Sequence, residues 1–173
     1  MSLLQKKVCL LGDFAVGKTS LVRRFIEGIF DDKYLSTIGA KVDRKTLRLE
    51  TNGDAAELSM LIWDLAGGEK FDRVMSSYYR GAAGAVLVCD LTRAETLSSL
   101  TRYINDFWGI NPHTPLVMVG NKADLVEQQV ITPANLAAVA GEYRLPWFTS
   151  SAKTGENVEA LFATLGRQLL VTK

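Results

Sequence analysis

Residues 12 to 19 read Gly-Asp-Phe-Ala-Val-Gly-Lys-Thr, directly after the apolar run Val8-Cys9-Leu10-Leu11. This is G-x-x-x-x-G-K-[ST] set between a buried strand and an amphipathic helix, and its chemistry is phosphate capture. A loop with glycine at both ends turns its backbone N–H groups inward around an anion. Asp13, Phe14, Ala15, Val16 and Gly17 supply that backbone, and Ser20 follows at the start of the helix. Lys18 places a point charge on the β- and γ-phosphates, and the Thr19 hydroxyl is placed for Mg²⁺. The helix that starts there aims its positive dipole end at the same anion.

Four further islands follow in order. Thr37-Ile38-Gly39 lies in a polar stretch, and Asp64-Leu65-Ala66-Gly67 closes an apolar strand. Asn121-Lys122-Ala123-Asp124 ends the next apolar run but one, and Ser151-Ala152-Lys153 follows the last strand-like segment. Each is weak alone. Their order, each just past a strand or, for Thr37-Ile38-Gly39, in the loop between the first helix and the hairpin, makes the set informative, since α/β sheets bind ligands at the carboxyl ends of their strands.

The elements that must position these islands alternate strand and helix, which argues for an α/β fold with a mostly parallel sheet. Val8–Leu11, Ala85–Cys89 and Leu116–Val119 are short apolar runs that suit strands buried on both faces, with Pro146–Thr149 a weaker fourth. Two more, about Val42–Leu49 and Glu57–Trp63, flank Asn52-Gly53 and are expected to pair antiparallel through a tight hairpin. Leu21, Val22, Phe25 and Ile26 make one helical face; Leu97, Leu100, Ile104 and Phe107 make a second. Thr132-Pro133 opens a helix carrying Leu136, Val139 and Ala140, and Val158, Leu161, Phe162, Leu165 and Leu169 form the last stripe. These stripes are core.

The chain of 173 residues suits one domain, 1–173, because it carries no repeat, linker or low-complexity tract. A net charge of +1 gives no electrostatic case for nucleic acid or an anionic membrane. Cys9 and Cys89 lie in apolar runs and read as core thiols in a reducing compartment. No apolar stretch approaches the ~18 residues of a membrane span. There is no signal-peptide core, no myristoylation glycine and no C-terminal cysteine for lipid, so the chain is expected to be soluble and unanchored.

With all five islands in place, the chain resembles a small GTPase of the Ras superfamily, and within it the Rab branch, over about Lys6 to Leu170. Phe30, the run Tyr34-Leu35-Ser36-Thr37-Ile38-Gly39, Ile62-Trp63-Asp64 and Ser76-Ser77-Tyr78-Tyr79-Arg80-Gly81-Ala82 carry the Rab character. The resemblance implies a P-loop NTPase fold of three layers, with a six-stranded, mostly parallel sheet holding one antiparallel strand between helices. It implies a cytoplasmic, monomeric molecular switch that binds GTP and GDP with Mg²⁺. Exchange factor, activating protein and effectors are the implied partners.

Under that resemblance Asp124 accepts guanine's N1–H and N2–H₂ together, which adenine cannot offer; a site built this way rejects the wrong base by roughly 10⁴–10⁵. Asn121 ties the loops and meets N7, the Ala152 N–H meets O6, and the stems of Lys122 and Lys153 cover the base beside Ser151. Phe30 meets the ring edge-on, and Tyr34 joins the nucleotide contacts. Thr19, Thr37 and Asp64 are the implied Mg²⁺ set, Asp64 through water. Lys18, Thr37 and the Gly67 N–H are the implied groups around the γ-phosphate. Loss of that phosphate lets the two switch segments relax.

The chain also departs from the pattern. Gly68 stands where the resemblance leads one to expect the glutamine that orients the attacking water, and Glu69 matches the family's next residue rather than replacing it. Phe14 occupies a loop position usually small, where a phenyl ring crowds an inserted arginine; Ala15 is a milder change. Of an aromatic triad presented to effectors, Trp63 and Tyr78 match, but Val42 replaces the third member. Trp108 and Trp147 read as packing, His113 as a surface loop residue and the Asp31-Asp32 pair as solvated. Slow hydrolysis follows from Gly68. A GTP-bound scaffold without turnover is the competing reading, and Asp124 argues against an ATP-using kinase.

Overall fold

Uninterrupted apolar runs suit strands covered on both faces, and the computed structural model has them at the centre of its sheet. It describes the backbone of residues 3–31, 39–67 and 72–172, with side chains for all of these except 72–74. The strands are β1 (Leu3–Leu11), β2 (Ala40–Thr51), β3 (Asp54–Leu65), β4 (Gly84–Asp90), β5 (Leu116–Asn121) and β6 (Trp147–Thr149). The helices are α1 (Lys18–Glu27), α2 (Asp72–Tyr79), α3 (Ala94–Ser98), α4 (Leu100–Ile110), α5 (Pro133–Glu142) and α6 (Val158–Val171). The six strands run in the order β2-β3-β1-β4-β5-β6. Only the β2–β3 pair is antiparallel, joined at Asn52-Gly53, where both residues have positive φ.

Alternation along β1 divides the core. Val8 and Leu10 face one layer with Val86, Val88, Val117 and Val119, under α1 and α6. Cys9 and Leu11 face the other with Leu87, Cys89 and Met118, under α2, α4 and α5. Phe25 of α1 stacks on Phe162 of α6 with ring centroids 4.1 Å apart, and Tyr79 of α2 meets Phe107 of α4 edge-on at 5.5 Å. Thr132 caps α5 with a reciprocal capping box to Asn135, and Pro133 takes the first helical turn.

The strand order reverses direction between β1 and β4, so the crevice at their carboxyl ends is the topological switch point. The phosphate-type loop, Asp64, Asp90, Asn121 and the Ser150–Lys153 turn all lie at or just past strand ends on this one edge.

Two expectations need correction. The stripe Leu97–Phe107 is not one helix: α3 and α4 meet at Ser99, where Arg102 and Tyr103 both bond to the Ser99 carbonyl. The Ser99 hydroxyl donates to the Glu95 carbonyl and to Asp13, and such side-chain bonds compete with helix continuity. Trp147 does not pack inside: at the sheet-edge strand β6 it stays 36% exposed. Trp108 is half-buried, donates to the Thr114 carbonyl at 3.0 Å and meets Tyr143 edge-on. His113 is exposed in its loop, as expected.

Candidate functional site

Glycine at positions 12 and 17 is dictated by space as well as by φ. A Cβ on Gly12 (φ +153) would lie 2.2 Å from the Val88 carbonyl oxygen, and one on Gly17 (φ +100) 2.3 Å from Asn121 Nδ2. Gly17 also leaves α1 without a side-chain cap, so the first-turn N–H groups of that helix stay available to an anion.

The carbonyls of this loop are held one after another. Lys18 Nζ donates to Gly12 O at 2.8 Å and to Asp13 O at 2.9 Å. Arg93 Nη1 donates to Phe14 O at 2.9 Å, Lys122 Nζ to Ala15 O at 3.0 Å and Asn121 Nδ2 to Val16 O at 3.0 Å. Lys18 is almost fully buried, and burial pushes its ammonium down to about 8 against the opposing pull of Asp64 and then Asp13.

The far end of the edge is built from β5 and the turn after β6. Asn121 accepts from Ser150 Oγ at 3.2 Å while it donates to Val16. The Asp124 carboxylate accepts from Ser151 Oγ at 2.7 Å, which orients it. Ala123 N–H donates to the Ser150 carbonyl, and Gly155 N–H to that of Ser151. Arg24 of α1 donates to the carbonyls of Ala152 (2.7 Å) and Gly28 (3.0 Å) and also bonds that of Lys153. Lys153 is exposed and Phe30 half-buried against the core.

Between these ends, the Thr19 hydroxyl donates to the Asp64 carboxylate. Asp64 is 1% exposed, and a hydroxyl with a carboxylate is a hard-oxygen donor set of the kind Mg²⁺ takes. Among the described residues no cluster of three or more His, Cys, Asp or Glu exists. Gly67 follows Asp64 and touches the loop: a Cβ on it would lie 2.5 Å from Phe14 N and 2.6 Å from Gly12 O. Its lack of a side chain is required by backbone packing, beyond the phosphate approach expected from sequence.

Tyr34, Thr37, Gly68, Glu69 and Asp32 lie outside the described residues. The expectation for Asp31 changes in part: it is 4.0 Å from Arg23 Nη1. The Asp13 side chain turns from the crevice to α3–α4, accepting from Ser99 Oγ at 2.6 Å and Tyr103 Oη at 3.1 Å. Phe14 is 55% exposed.

Sequence reasoning missed Arg24, Asp90, Arg93, Ser99 and Tyr103. Asp90 is buried at the end of β4, where its Oδ1 accepts from Thr92 N–H and Oγ1, and its Oδ2 pairs with Lys122 at 2.9 Å. A charged residue closing an otherwise apolar run was the available signal for Asp90; Arg24 and Tyr103 sit on helices, and Arg93 and Ser99 flank α3, with no local mark.

On the opposite side of β3, Trp63 and Tyr78 rings lie 6.1 Å apart, and Lys7 Nζ is 3.9 Å from the centre of the Trp63 ring. Val42 pairs with Trp63 across the hairpin and is 46% exposed. Trp63 is half-buried, between the two roles open to it in the sequence.

Comparison with known proteins agrees with this arrangement. Residues 7–171 match the Ras family. The chain is 39% identical over 168 residues to the GTP-binding protein ypt5 of Schizosaccharomyces pombe, covering 96% of this chain and 78% of that protein. It is 37% identical over 171 residues to the human Ras-related protein Rab-22A, covering 98% and 86% respectively. It is 37% identical over 164 residues to the Ras-related protein RABD1 of Arabidopsis thaliana, covering 94% and 78%. No helix among the described residues is long and apolar enough to cross a membrane.

Proposed function

Since the chain belongs to the Ras family, whose members are GTP-hydrolysing molecular switches, we propose that its sheet edge binds GDP and GTP with Mg²⁺ and that it turns GTP over slowly. The observation that carries the reading is the 3.0 Å bond from Asn121 Nδ2 to the Val16 carbonyl. It fixes the segment that holds Asp124 against the loop that holds Lys18, so one ligand with a purine at one end and phosphates at the other meets both.

Each residue then has a physical task. Backbone N–H groups from Asp13 to Thr19 and Ser20 surround the phosphates, while Lys18 neutralises charge between them. Asp124 takes the two donors of guanine, with Ser151 holding its carboxylate; Asn121, Lys122, Ala152, Lys153 and Phe30 enclose the base. Thr19 and Asp64, joined by Thr37, would hold Mg²⁺, which when bound neutralises phosphate charge. Tyr34 completes the nucleotide contacts.

Hydrolysis is attack of water on the γ-phosphorus with GDP leaving. Lys18 and the Gly67 N–H favour the charge that develops on phosphoryl oxygens. Gly68 has no side chain to orient the water, which sets the rate low. Exchange factor, activating protein and effectors would act on the segments around Thr37 and Gly67.

Calorimetry with GDP, GTP and ATP in the presence of magnesium tests the reading. Tight binding of both guanine nucleotides, with no heat from ATP, is expected; absence of heat from GDP and GTP refutes it. Nucleotide extracted from fresh protein separates a cycling switch, which carries GDP, from a GTP-bound scaffold.

A further inference from the structure

In a trans peptide the C=O of one residue and the N–H of the next point in opposite directions, and this chain has no cis peptide bond among the described residues. Holding the carbonyls of Phe14, Ala15 and Val16 from the β4–β5 side therefore turns the N–H groups of Ala15, Val16 and Gly17 the other way. Lys122 and Asn121 hold the second and third carbonyls. Both belong to the Asn-Lys-x-Asp island. The first carbonyl, Phe14 O, is held by Arg93, which belongs to no island.

Arg93 is itself oriented. Its Nε bonds Glu95 Oε1 at 3.2 Å, and its Nη1 lies 4.0 Å from Asp90 Oδ2. Asp90 Oδ2 is also the partner of Lys122, so one buried carboxylate aims two cations at adjacent carbonyls. Ala15, the residue whose N–H is turned by Arg93, sits at φ +63, a left-handed conformation that a non-glycine residue adopts only when its surroundings hold it there. The guanidinium, with its several donors in a fixed fork, can serve Glu95 and Phe14 at once.

We propose that Arg93 is a positioning residue for phosphate binding: it holds the Phe14 carbonyl away from the crevice so that the Ala15 N–H faces the bound phosphates. The inference rests on the guanine-nucleotide reading of the same loop. It predicts that Arg93 sets the residence time of the nucleotide without touching it.

Release of fluorescent GDP from loaded protein tests this, together with ³¹P spectra of bound GDP. Arg93→Ala is expected to release GDP about tenfold faster and to move the phosphate resonances, and Arg93→Lys, which retains a charged donor, to return both toward wild type. Glu95→Ala, at an exposed site, loosens the guanidinium and is expected to speed release two- to threefold, about the effect of one weakened surface pair. Should Arg93→Ala fail to fold, the Glu95→Ala result decides, since Arg93→Lys is expected to stay near wild type. Wild-type release rates and unmoved resonances in Arg93→Ala, or in Glu95→Ala where it stands in, overturn the assignment. So does faster release that leaves the resonances in place, because that marks general loosening. If folded wild-type protein retains no guanine nucleotide, the parent reading fails first and this inference falls with it.

Discussion

Asp90 Oδ2 lies 2.9 Å from Lys122 Nζ, and the same ammonium donates to the Ala15 carbonyl at 3.0 Å. The end of β4 is thus linked through one lysine to the loop after β1. Asp90→Asn removes the buried charge and leaves Lys122 and Arg93, each about a third exposed, facing a neutral amide. Because both cations keep about a third of their side chains in water, the loss is expected to destabilise the fold by only about 1–2 kcal/mol. A denaturant titration of the GDP-loaded protein measures it, and an unchanged midpoint would show the pair to be energetically idle.

Removal of the base-selecting carboxylate is the second expectation. Asp124→Ala leaves guanine N1–H and N2–H₂ without acceptors, so preference for GDP over ADP is expected to fall by at least about a hundredfold. Ser151→Ala, which only frees the carboxylate held at 2.7 Å, is expected to cost much less. Competition binding with the two diphosphates reads both.

Gly67→Ala follows from geometry. The added methyl carbon would meet backbone atoms of Asp13 and Phe14 at 2.6 and 2.5 Å, and backbone cannot rotate aside as a side chain does. Overpacking of this kind costs about 1–3 kcal/mol, here taken from the loop's phosphate-binding form. GTP affinity should fall while the far-UV spectrum stays as in wild type; unchanged affinity would mean that the loop and Gly67 separate freely.

Single-turnover hydrolysis tests the effect of Gly68. The wild-type rate is expected to lie below the ~10⁻⁴ s⁻¹ of unassisted relatives, and Gly68→Gln to raise it toward that figure. A wild-type rate at or above the norm that Gly68→Gln leaves unaltered would place water positioning elsewhere.

Burial pushes the thiols of Cys9 and Cys89 up to about 12 from an ordinary 9.0. Below pH 9 both folded and unfolded thiols keep their protons, so their contribution to stability is fully present and does not vary. Between about 9 and 12 only the unfolded chain releases them, so stability falls as pH rises through that window. At pH 8 neither thiol should react with iodoacetamide in the native protein, and both should react in denaturant. Native labelling at rates like those of free cysteine would show that the core opens.

Sequence alone was enough to place most of the elements and the islands expected to do chemistry. Local rules suffice for Asn52-Gly53 closing a hairpin, for Thr132-Pro133 starting a helix, and for four of the five islands falling at or just past strand ends. The same locality shows that Gly68 lacks a side chain, whatever the fold. Only the tertiary structure decided how the loop between Gly12 and Gly17 is held. The donors come from Asn121 at the end of β5, from Lys122 just after it and from Arg93 after β4, remote in sequence and adjacent only because β1, β4 and β5 lie side by side. The break at Ser99 is of the same kind: a helical stripe encodes burial, whereas the pull of Asp13 on the Ser99 hydroxyl exists only once the loop after β1 meets the α3–α4 junction. Gly67 belongs to both levels, being named by its motif in the sequence and given its steric reason by a neighbour more than fifty residues earlier in the chain.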